Sequence, residues 1–145
     1  MRPRLLSTLA RAPVVAAAAL LVALAGCGHG KPGATDGVRA AVQTFTQNCA
    51  EGEGVAASEG LTEPTREEFL AEAGVFAGCR RVLGLGSGAP GFAAPDALRS
   101  ARVSGADAHG GIGSAIVELP GGVRRRVEAE RVEGRWLLAL PSVEP

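Results

Sequence analysis

The chain has 145 residues, with 15 Lys and Arg against 15 Asp and Glu and a formal net charge of +0. That balance offers no basic field to a nucleic-acid backbone. The aromatic set is Phe45, Phe69, Phe76, Phe92 and Trp136, with no Tyr, a poor supply of stacking platforms for bases or sugars. Nucleic acid is therefore not an expected partner.

Arg2, Arg4 and Arg11 form a positive start, and residues 12–25 carry no charge. A short apolar run behind a positive start, ending in small residues, describes a secretory signal. The run falls short of the ~20 apolar residues a membrane span needs. It ends in Leu24-Ala25-Gly26-Cys27, which resembles the lipobox of bacterial lipoproteins. The resemblance implies cleavage before Cys27, diacylation of that cysteine, and a domain held by lipid on the extracytoplasmic face of the cell membrane. Ala23-Leu24-Ala25 also fits ordinary signal cleavage, which would leave a free chain starting at Gly26. The cysteine count favours lipidation: Cys27, Cys49 and Cys79 are three, and a secreted chain with an odd thiol needs a use for it. Stable anchoring takes more than one acyl chain, each buried CH2 contributing about 0.8 kcal/mol, and a diacylated cysteine meets that need. The expected organisation is a signal peptide at 1–26, a lipidated N-terminus and tether at 27–37, one small domain at 38–141, and a tail at 142–145.

Loss of residues 1–26 removes three arginines and no acids, leaving 12 basic against 15 acidic residues. The tether is rich in glycine, lacks large apolar residues and can bury little. Gly30-Lys31 lacks the Ser or Thr that a phosphate-binding loop places next, and His29 is a lone histidine there. About a hundred residues remain, enough for one domain with a thin core that a disulfide would help.

Val38, Ala41, Val42, Phe45 and Cys49 fall on one face of an amphipathic helix. Asp36 or Thr35 is placed to cap it, and Gly52 to stop it. Residues 53–61 read as a weak short helix or loop. Thr65-Arg66-Glu67-Glu68 has the pattern of a capping box with Thr65 as N-cap, followed by Phe69, Leu70 and Ala73 as an apolar stripe ended by Gly74. Residues 75–83 predict another short helix with Val75, Phe76, Cys79, Val82 and Leu83 facing in. Cys49 and Cys79 thus lie on apolar faces in an oxidising compartment, and a disulfide between them is expected. The alternatives are two buried thiols or a redox pair, and a redox pair would want a close C-x-x-C, which is absent. Gly86-Ser87-Gly88-Ala89-Pro90-Gly91 matches G-x-G-x-x-G in form, but no strand precedes it and no helix opens inside it.

From Asp96 the period changes. Leu98, Ala101 and Val103 suggest an irregular first strand, and residues 104–111 a turn with a bulge. Residues 112–119 predict a strand broken at Glu118, Pro120-Gly121-Gly122 a hairpin turn, 123–132 an alternating strand, Glu133-Gly134 a turn, and 135–140 a last strand. The short connections predict an antiparallel meander. Arg124, Arg125 and Arg126 lie near Glu118, Glu128, Glu130 and Glu133 in sequence, which favours cross-strand charge pairing over an anion site.

Gly37-Val38-Arg39-Ala40-Ala41-Val42-Gln43-Thr44-Phe45 and Arg131-Val132-Glu133-Gly134-Arg135-Trp136-Leu137-Leu138 together resemble the NTF2-like domains of small actinobacterial lipoproteins, many of which carry a comparable cysteine pair. The likeness spans 37–141 and departs in the glycine loop 84–91 and in 105–111. It implies an α+β roll: N-terminal helices on a curved four-stranded antiparallel sheet, forming a cone with a pocket. Phe45, Trp136 and Leu138 are the candidates to line that pocket. The acidic and histidine residues of NTF2-like enzymes have no clear counterpart here, and no Ser-His-Asp or Cys-His set can be assembled. No metal and no cofactor are expected. The sequence therefore favours a non-enzymatic lipoprotein that binds an envelope protein or a small apolar ligand. A small enzyme using His109 with Asp107 or a strand glutamate, and a regulatory partner of a membrane protein, are the alternatives.

Overall fold

The computed structural model describes residues 33–86 and 95–141. The signal segment, Leu24-Ala25-Gly26-Cys27, His29, the 86–91 glycine motif beyond Gly86, Phe92 and the tail lie outside them. Five helices precede four strands: α1 Ala34–Glu51, α2 Gly54–Glu59, α3 Glu63–Ala71, α4 Val75–Val82, α5 Pro95–Arg99, β1 Arg102–His109, β2 Ile112–Leu119, β3 Val123–Val132 and β4 Arg135–Ala139. This is the α+β arrangement expected from the sequence, with one open four-stranded antiparallel meander in the order β1-β2-β3-β4.

The apolar stripe of α1 is the centre of the core. Val38, Val42, Phe45 and Cys49 are each at most 1% exposed. Gly52 ends the helix in the left-handed region at φ 75°, where only glycine sits without strain. Its N–H donates to Cys49 O (3.3 Å), and that of Glu53 donates to Asn48 O (2.9 Å), closing a Schellman motif. The start differs from expectation. Gly33 is the N-cap, with no side-chain cap bond, so Thr35 and Asp36 lie inside the first turn rather than before it. Asp36 there complements the helix dipole. Residues 34–37, of tether composition, are helical, and Trp136 packs on Gly37 so closely that an added methyl would meet its Cδ1 at 2.6 Å.

The capping box at Thr65 does not form. Helix α3 starts at Glu63, with Thr62 as N-cap and Pro64 in the first turn, a position that tolerates proline because its N–H needs no partner. Thr65 is instead 2% exposed, and its Oγ1 accepts from Thr62 Oγ1 (2.9 Å) and from Leu140 N–H (2.9 Å). The expected apolar stripe of α3 narrows to Phe69, which meets the edge of Phe45 at 6.4 Å between ring centres. Leu70 is 65% exposed, and α3 ends at Ala71, before Gly74. Helix α4 packs on α3 through Gly78, and the Cys49–Cys79 disulfide ties α1 to α4 with Cα atoms 6.0 Å apart. A cross-link over 30 residues stabilises by about 3–4 kcal/mol in the chain-entropy account.

The irregular strand expected at Leu98, Ala101 and Val103 divides into two elements. Pro95 opens α5, Leu98 is buried at 2%, and β1 begins only at Arg102. The 104–109 segment, read as a turn, is strand. A bulge between Ser104 and Asp107 shifts the register, and Gly110-Gly111 makes the turn. Nor does Glu118 break β2, since it pairs in register with Arg102 and Arg124. One sheet face, with Val103, Ala115, Val117, Val127, Ala129 and Leu138, covers the helices. The other is open and mostly polar. The backbone at Gly60 and Thr62 caps the free edge of β4 through Leu138 N–H to Gly60 O (2.8 Å) and Thr62 N–H to Leu138 O (2.9 Å). Among the described residues no backbone bond covers the outer edge of β1.

Candidate functional site

The three aromatic and aliphatic candidates occupy the interior. Phe45 is 1% and Leu138 0% exposed. Phe45 abuts Phe69, and Leu138 bridges to Leu61. Trp136 is half-buried against α1 and β2, where a methyl on Gly113 would lie 3.3 Å from its Cζ3. Residues of one continuous apolar cluster fill the space between helices and sheet, and none of the three lines the main groove of the surface.

That groove, of about 780 Å³, runs between α1 and the start of β1. On the α1 wall, Gln43, Gln47 and Glu51 recur at helical spacing beside the core stripe, with Thr46 and Ala50 beneath them. The opposite wall comes from Leu98 and Arg99 of α5 and from Ala101, Arg102 and Val103. Internal bonds occupy some of the polar groups. Thr46 Oγ1 donates to Val42 O (2.8 Å), Gln47 Nε2 to Glu51 Oε1 (3.0 Å), and Arg99 pairs with Asp96 at 2.7 Å. Gln43 and Arg102 make no side-chain hydrogen bond or ion pair among the described residues and remain open to a ligand. Apolar floor with a few uncommitted polar groups is the composition of a binding groove. The sequence hid it because one wall is the polar flank of α1, and the apolar residues of the other, Leu98, Ala101 and Val103, read as a single ragged strand rather than as a helix–strand junction.

A smaller apolar hollow of about 320 Å³ lies between α2, α3 and α4 and includes Val55, Leu70 and Val75. Val55 is 76% exposed.

The arginine run is spread over the sheet surface and does not converge. Arg124 pairs with Glu118 across the strands at 3.0 Å, the expected charge pairing. Arg125 Nε donates to Gly84 O (3.3 Å), and Arg126 Nε to Ser114 Oγ (3.1 Å). On α4, the Arg81 guanidinium is raised further above its ordinary range by its hydrogen bond to Glu68 and then by the charge of that carboxylate. His109 ends β1 with its side chain 89% exposed and its Nε2 3.4 Å from Asp107 Oδ2. No cluster of three His, Cys, Asp or Glu able to hold a metal occurs among the described residues, and no helix among them is long and apolar enough to cross a membrane.

Comparison of the chain with protein-family models, with curated proteins and with solved structures found no match in any of the three.

Proposed function

We propose that this chain is an extracytoplasmic lipoprotein, held on the outer face of the cell membrane by acyl chains on Cys27, and that its NTF2-like domain is a non-enzymatic module binding an extended segment of an envelope protein. The α1–β1 groove carries this reading. It is open and about 780 Å³ in volume, room for several residues of an extended chain. The Gln43 amide suits a peptide backbone, since it donates and accepts at once. Arg102 suits a carboxylate. The uncovered edge of β1 runs alongside, where a partner strand can add to the sheet. The acid–base alternative has less support, since His109 sits at an exposed strand end with Asp107 as its neighbouring acid.

Two experiments test the parts separately. Mass spectrometry of the mature N-terminus is expected to find a diacylated Cys27; an unmodified start at Gly26 would refute anchoring. A photo-reactive residue placed at Gln43 is expected to cross-link a discrete envelope protein, and one at exposed Glu67 is not. Equal or absent adducts at both positions would remove the groove as the site.

A further inference from the structure

The end of the domain where α1 begins also carries two exposed apolar side chains. Trp136 packs on Gly37, and Val38 packs on Gly113, which brings the β1–β2 and β3–β4 turns beside the first turn of α1. Arg131 N–H donates to Gly111 O (2.7 Å) and joins the two turns. Ile112 pairs in register with Glu130, and Val132 lies two residues further along β3, so both point to the same sheet face. Ile112 is 67% and Val132 40% exposed. One exposed aliphatic residue needs no explanation; two adjoining ones at the end nearest the anchor do.

The chain outside the described residues says what covers them. Seven residue steps separate Cys27 from Ala34, at most about 25 Å of extended backbone. We infer that the rim formed by Ile112 and Val132 rests on the lipid surface and dips into the headgroup layer. This inference rests on the acylation of Cys27 proposed above. Two small aliphatic groups would not hold a free protein on a bilayer, but a short tether keeps their effective concentration near the millimolar range. The rim carries Asp36, Asp107, Glu130 and Glu133 against Arg39, Arg131 and Arg135, with no excess of positive charge to draw it to anionic lipid. The contact is therefore apolar, insensitive to salt and to anionic lipid. The other exposed aliphatic pair, Val55 and Leu70, lies beyond the far end of α1, an 18-residue helix about 27 Å long. The groove wall at Gln43, Gln47 and Glu51 is likewise displaced along α1, so the apposed rim presents the groove away from the membrane.

The test uses the full acylated chain in phosphatidylcholine vesicles, with and without phosphatidylglycerol. Single cysteines replacing Ile112, Val132, Val55 or Leu70 carry an environment-sensitive fluorophore; Cys49 and Cys79 are bonded and buried, and do not react. The expected result is a blue shift and intensity gain at 112 and 132, unchanged by salt, and none at 55 or 70. No shift at 112 and 132 on chains that float with the vesicles overturns the apposition alone. Chains that do not float overturn the anchoring, and the apposition with it. Hydrogen exchange of the acylated chain without a fluorophore gives a second measurement. Slower exchange at 110–112 and 132–135 on vesicles supports the contact, and unchanged exchange there refutes it.

Discussion

Replacing Gly78 with Ala sets two known effects against each other. In a helix interior Ala is favoured over Gly by about 0.8–1 kcal/mol, so propensity alone predicts a more stable protein. The packing predicts the opposite. A methyl at Gly78 would sit 2.7 Å from Phe69 Cδ2, 2.8 Å from Phe69 O and 2.9 Å from Phe69 Cε2, where unstrained carbon contacts lie near 3.5–4.0 Å. Phe69 has little room to yield. It is 4% exposed, its ring meets Phe45 edge-on, and the offending oxygen belongs to the backbone. Overpacking against backbone as well as ring falls in the upper part of the usual range, about 2–3 kcal/mol, so the expected net loss is about 1–2 kcal/mol, or a fall of roughly 5–15 °C in melting midpoint for a domain this size. Denaturant unfolding of the disulfide-intact chain, followed through Trp136 fluorescence, measures it. Shrinking Phe69 to Leu should recover part of the loss, giving a non-additive double-mutant cycle. An Ala variant as stable as the parent, or an additive cycle, would refute the claim that α4 requires glycine where it crosses α3.

Three further outcomes are expected. The Cys49→Ser, Cys79→Ser chain should lose about 3–4 kcal/mol, and reduction of the parent chain should shift the urea midpoint in the same direction. Thr65→Val removes the acceptor for Leu140 N–H in a buried position and should cost about 1–3 kcal/mol, whereas loss of a mere helix-surface hydroxyl would leave urea unfolding unchanged. Arg102→Ala, on the groove wall, should stay within about 0.5 kcal/mol of the parent in stability while weakening the cross-link formed from Gln43; undiminished cross-linking would show that Arg102 does not contact the partner.

The sequence makes α1 and β3 legible for a shared reason, since each keeps one hydrophobic period throughout, and the disulfide follows from the apolar helix faces that carry Cys49 and Cys79. Val38 to Cys49 repeats at the helical period, and β3 alternates. Legibility fails where one window spans two elements. Leu98, Ala101 and Val103 look like a ragged strand because the first belongs to α5 and the last to β1. It fails again at Thr65, whose local pattern suits a cap, because the hydroxyl is taken by Leu140, far away in sequence. The candidate site was hidden for a related reason. Large apolar residues such as Phe45, Trp136 and Leu138 attract a pocket assignment, yet they are also what a thin core consumes first. The groove is walled by Gln43 and Arg102, whose juxtaposition depends on how α1 lies along β1.

The stitching of β4 at Leu61 and Leu138 bears on how the domain comes apart. The last strand is held on one side by β3 and on the other by backbone from the helical half. The two chain regions that meet there, around Leu61 and Leu138, lie far apart in sequence, so their contact carries the cost of closing a long loop. A protease that trimmed the chain within β4 would not shorten a sheet by one strand and leave the rest intact. It would uncover Leu61, strip Thr65 of its donor at Leu140, and expose the underside of α1 together with the sheet. Cleavage within β4 should thus unfold both halves in one cooperative transition, so that an uncut β4 reports on the integrity of the whole domain.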